Sequence, residues 1–147
     1  MYYFLLLIPI AFVLYVMYQE NKKYKKLKND AIFIYKSYGA YDEVNHIFTY
    51  KDNSYKVIFY KVSSSAELVI NSPKIWEIRS SSKPKLINQA QLLSDPMKKI
   101  IVIYPNVRPI KRYINENEMV FVKTSFFNNM YVISIEQIET LIKEMGK

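Results

Sequence analysis

The chain has 147 residues, half of them hydrophobic and 16% aromatic, with 21 basic side chains against 13 acidic ones and a formal charge of +8. That length suits one compact domain, and that apolar content argues against disorder over most of it. Only two glycines, Gly39 and Gly146, are present, which excludes Rossmann and Walker phosphate loops; the lack of cysteine excludes disulfides and thiolate zinc sites. A single histidine, His46, argues against a histidine-based metal centre or a hydrolase triad.

The first element is Tyr2 to Tyr18, YYFLLLIPIAFVLYVMY, seventeen residues without a charge and roughly 26 Å long as a helix. No basic segment precedes it and no small-residue cleavage site follows it, so it does not read as a cleavable signal. A helix apolar on every face needs a larger soluble domain to hide in. The expectation is an uncleaved membrane anchor over residues 1–19, with Pro9 tolerated inside it. Lys22, Lys23, Lys25, Lys26 and Lys28 follow at once, and the positive-inside bias then makes this a single-pass protein of the cell membrane with a cytoplasmic C-terminal domain. The same lysines are expected at the membrane surface against anionic lipid headgroups. Residues 20–28 carry a net +4, which leaves +4 for residues 29–147.

Apolar residues at helical spacing, Leu27, Ala31, Ile34 or Tyr35, and Tyr38, continue the helix as a basic juxtamembrane stalk over residues 20–40 that stops at Gly39. From residue 41 to 147 the pattern is that of an α/β domain. HIFTYK and YKVIFYKV form a hairpin around Asp52-Asn53-Ser54, and AELVIN and IWEIR form a second around Ser72-Pro73-Lys74. Ser63 to Ser65 is a surface loop, and residues 80–85 are linker-like. LINQAQLLSDP reads as a helix, RPIKRYINENE as a short helix or irregular segment, and KIIVIYPN as a strand covered on both faces. MVFVK and MYVI are further strands, and Ser134 with Gln137 opens a closing amphipathic helix through a capping box. The order predicts an α/β sandwich with a mixed sheet flanked by helices.

AELVINSPKIWEIR, then NQAQLL, then IIVIYP and MYVISIEQIETLI, resembles restriction-endonuclease-like domains, in particular the nuclease-related NERD group, over about the last two thirds of the chain. The resemblance implies an acid on one strand and a Glu-x-Lys on the next that bind a divalent metal and activate water. Carried over, Glu67 stands for the first acid and Glu77 for the acid of Glu-x-Lys, and these two carboxylates would share Mg²⁺. Arg79 stands where the family has lysine; it stays protonated and can neutralise a phosphate but cannot act as a base. Without the metal, Glu67, Glu77 and Arg79 make an ordinary cross-strand charge pair.

RPIKRY groups Arg108, Lys111 and Arg112 beside Tyr113, and SFFNNMY adds Phe126 and Phe127, a mixture suited to single-stranded nucleic acid or to an apolar interface. Gln89 joins the candidate nucleic-acid contacts. The functional expectation is a membrane-anchored, non-catalytic binding domain without a cofactor, related to a degenerate nuclease-like fold, whose partner is a protein, an anionic membrane or a nucleic acid. The alternatives are a membrane-tethered Mg²⁺-dependent nuclease and a small structural subunit of a membrane complex.

Overall fold

The computed structural model describes the backbone of residues 3–147 and the side chains from residue 7 onward. Tyr2 of the expected anchor lies outside the described residues. The chain opens with one continuous helix, α1 (Tyr3–Tyr38), which runs through both the expected anchor and the expected stalk.

Among the described residues no helix is long and apolar enough to cross a membrane. Within α1 the uncharged run from Tyr3 ends at Tyr18, sixteen residues or about 24 Å of helix, short of a hydrocarbon core about 30 Å thick. Gln19, Glu20 and the lysines follow in the same helix. The anchor, the single-pass arrangement at the cell membrane and the cytoplasmic placement derived from it are therefore corrected, and the headgroup contact expected of Lys22 to Lys28 loses the anchor on which it rested.

The C-terminal half of α1 belongs to the domain. Ala31 and Tyr35 are buried, and the ammonium groups of Lys28 and Lys61 lie over the rings of Phe59 and Tyr24. The helix ends at Tyr38, where the Gly39 amide donates to the Tyr35 carbonyl at 3.0 Å. Gly39 is not left-handed. It is required by close approach, because a Cβ there would run into the Thr49 carbonyl oxygen and the Phe48 ring.

Ten strands follow: β1 (Ala40–Asp42), β2 (Ile47–Tyr50), β3 (Asn53–Val62), β4 (Glu67–Ile70), β5 (Ile75–Arg79), β6 (Lys85–Asn88), β7 (Lys99–Pro105), β8 (Ile110–Asn115), β9 (Glu118–Val122) and β10 (Met130–Ser134). A short helix α2 (Ala90–Ser94) sits between β6 and β7, and a 3-10 turn leads into the closing helix α3 (Ile138–Met145). The strands build two mixed sheets, ordered β1-β2-β3-β7-β10 and β6-β5-β4-β8-β9. The α/β class is as expected; the number of sheets is not.

Two expected elements are replaced. Leu86 and Ile87 belong to β6, paired antiparallel with β5, so helix begins only at Ala90. RPIKRYINENE holds β8, which lies parallel to β4 and antiparallel to β9.

β7 shows how the layers stack. Ile100 and Val102 face the helices, in a core with Tyr35, Phe48, Leu141 and Ile142, while Ile101 and Ile103 face the other sheet, in a core with Leu68, Ile70, Trp76 and Met130. The molecule is thus three layers, helices on the first sheet and the first sheet on the second, and β7 is buried on both faces. The second sheet has an outer face that neither core covers. That outer face and the loops at its edge carry Glu67, Glu77, Arg79, Arg108 and Lys111.

Candidate functional site

Alternation along β4 and β5 sends Leu68, Ile70, Trp76 and Ile78 inward and leaves Glu67, Val69, Glu77 and Arg79 on the outer face. Register places Glu67 opposite Arg79 and Val69 opposite Glu77. On the neighbouring strand, Lys111 lies beside Val69 and opposite Phe121 of β9. One sheet face therefore unites Glu67, Glu77, Arg79 and Lys111.

Each of the two carboxylates has its own cation. Lys111 Nζ lies 2.5 Å from Glu67 Oε1, and an Arg79 guanidinium nitrogen lies 3.0 Å from Glu77 Oε2. Asn71 also donates to Glu77 Oε2 at 3.3 Å. The Arg79 hydrogen bond, helped by Asn71, holds the Glu77 carboxyl below its ordinary range despite burial, which opposes it. Glu77 and Tyr113 in turn push the Arg79 guanidinium further toward permanent protonation. Among the described residues no group of three or more His, Cys, Asp or Glu is arranged to hold a metal ion.

What converges instead is positive charge. A cleft of about 530 Å³ opens at the edge of the second sheet, where the loops β3–β4, β5–β6 and β7–β8 meet. Its lining includes Arg79, Arg108 and Lys111, with Glu67 as its carboxylate and the hydroxyl residues Ser65, Ser80 and Ser81 around them. Both members of the Glu67–Lys111 pair are about one-third exposed, at 29% and 32%. A pair so placed contributes about 0–1 kcal/mol and can re-partner with an incoming anion. Arg108 is exposed and forms no ion pair among the described residues.

A buried asparagine builds this cleft. Asn106 is 3% exposed; its Nδ2 donates to the carbonyls of Ser63 at 2.6 Å and Ala66 at 2.5 Å, and its Oδ1 accepts from the Arg108 amide at 2.7 Å. One side chain therefore ties the loop that carries Ser65 to the loop that carries Arg108. Nothing in the local sequence beyond a Pro-Asn pair after a strand marks Asn106 for this part.

The remaining candidates are placed elsewhere. Gln89 is buried, and its amide donates to the Tyr60 hydroxyl at 2.9 Å, which holds α2 against β3. Arg112 points between the sheets, its guanidinium carbon 4.5 Å from the Phe127 ring centroid. Phe127 is buried, whereas Phe126 is half exposed against Tyr131. His46 sits in the turn before β2 with a left-handed backbone (φ 53°), its Nδ1 2.9 Å from the Tyr41 hydroxyl. Lys22, Lys23, Lys25 and Lys26 line an exposed face of α1 together with Asp30. Compared with protein-family models, curated proteins and solved structures, the chain gives no significant match.

Proposed function

We propose that this chain is a non-catalytic binding module that takes a phosphate-bearing ligand in the cleft between the β3–β4, β5–β6 and β7–β8 loops. The observation that carries the reading is the convergence of Arg79, Arg108 and Lys111 on one cleft whose lining includes the single carboxylate Glu67. Arg79 supplies a planar fork suited to two phosphate oxygens, Lys111 a mobile point charge, and the serines neutral donors. Arg108 brings a charge that forms no ion pair among the described residues, on a backbone fixed by Asn106.

The nuclease alternative has less support, because Glu67 and Glu77 are each neutralised by a cation and the group at the lysine position is an arginine. Calorimetric titration of the full chain with tripolyphosphate tests the proposal. Binding should weaken steeply as salt rises, and Arg108→Ala and Lys111→Ala should each lower affinity on the order of tenfold, as expected for loss of a charge-assisted hydrogen bond. Unchanged affinity in both variants, or no binding at low salt, would overturn it.

A further inference from the structure

The phosphate cleft does not end at Arg108. A second cavity, of about 460 Å³, lies between the β8–β9 pair and α3, and Arg108, Pro109 and Phe121 line it as well as the first. The shared residues form a ridge between two arms. Arg79 and Lys111 stand on one arm, Lys123 on the other, and Arg108 at the junction. Lys123, like Arg108, forms no ion pair among the described residues.

The ridge itself is aromatic. Phe121 is 58% exposed although it lies on a paired strand opposite Lys111, whose ammonium is 5.9 Å from the ring centroid. A ring so exposed between cationic arms costs apolar surface in water and offers a stacking face flanked by phosphate-binding groups.

We infer that the two arms form one track for single-stranded nucleic acid, with successive phosphates at Arg79/Lys111, Arg108 and Lys123 and an unpaired base stacked on Phe121. The inference rests on the phosphate reading above and adds the ligand class. A base in a duplex keeps both faces in its own stack, so this geometry takes single strands, and stacking on a phenyl ring tolerates any base sequence. Glu144, on the far side of the second cavity, carries the charge of a phosphate and limits the track beyond Lys123.

Fluorescence anisotropy with the full chain and a labelled oligothymidylate of about ten nucleotides tests this, with tripolyphosphate and phosphatidylglycerol vesicles as competitors. The oligonucleotide should bind at least about tenfold more tightly than tripolyphosphate. Phe121→Ala should cost about tenfold for the oligonucleotide and much less for tripolyphosphate, which has no base to stack, and Phe121→Tyr should keep most of the affinity. Oligonucleotide affinity that ignores Phe121→Ala would overturn the inference and leave the phosphate reading standing, as would vesicles that bind in an Arg108-dependent way where the oligonucleotide does not. Failure of tripolyphosphate itself to bind would sink both.

Discussion

Lys111 Nζ lies 2.5 Å from Glu67 Oε1, so the carboxylate that a nuclease would give to a metal is instead neutralised by a lysine of the adjacent strand. The pair makes Glu67 a competitor of the ligand for Lys111. Glu67→Gln should therefore strengthen binding of tripolyphosphate several-fold, an effect of about 1 kcal/mol or less, because it frees Lys111 and removes a like charge from the cleft. A metal-ligating role for Glu67 predicts the opposite sign, loss of divalent-cation-dependent binding or cleavage, and titration of the variant with and without Mg²⁺ separates the two.

Asn106 is the brace of the cleft. Asn106→Ala removes both bonds to the Ser63 and Ala66 carbonyls and leaves them short of a donor, which should cost about 1–3 kcal/mol of stability by denaturant melt. Ligand affinity should fall as well, although Asn106 touches no ligand, because Arg108 loses its backbone support. Asn106→Asp keeps the acceptor for the Arg108 amide and loses the donor; it should destabilise the chain at least as much.

Gly39 is set by space rather than by backbone dihedral. Gly39→Ala should lower stability by about 1–3 kcal/mol, since the new methyl group meets the Thr49 carbonyl oxygen and the Phe48 ring at the junction of α1 with the first sheet. A substitution that left the thermal midpoint unchanged would show that α1 can shift away from β2 at little cost.

His46 gives the fold a pH dependence. Burial, and then the Lys28 ammonium, depress its pKa below the ordinary 6.5, against weaker pulls from Asp42 and Glu43. The Tyr41 hydroxyl and the ring Nδ1 share a hydrogen bond, while burial and neighbouring carboxylates raise Tyr41 to about 12. Because the folded imidazole binds a proton less readily than the unfolded one, stability is full above about pH 6.5 and declines as the pH falls below that value. Asp42 and Glu77, held below their ordinary 3.8 and 4.5, act in a lower window. Denaturant melts between pH 7.5 and 5 should show the decline, and His46→Asn, which tolerates the left-handed backbone, should flatten it.

Strands whose faces differ in polarity were legible in the sequence, as were the capped final helix and the doubly buried β7. β6 was not, because Leu86, Ile87, Ala90 and Leu93 also fit one helix face, and pairing with β5 decides the matter. β8 was hidden by Arg112, a charge on the inward face at a position where alternation calls for an apolar residue. Periodicity reports which residues turn inward but not what meets them, so it could not divide the strands between two sheets. Arg79, Arg108 and Lys111 were each visible as charges beside aromatics, whereas their convergence depends on three loops joined through Asn106. The apolar start of α1 was legible as a helix; its reach across a membrane was not supported by the described residues.

The most direct measurement is a map of backbone amide shifts in the full chain, labelled with ¹⁵N, during titration with tripolyphosphate. The account predicts that the largest shifts fall at Ser65, Ser80, Arg108 and Lys111 and that in Arg108→Ala they need about tenfold more tripolyphosphate to develop. Shifts confined to Lys22 through Lys28 of α1 would show that the lysine run, and not the cleft, holds the anion, and would contradict it.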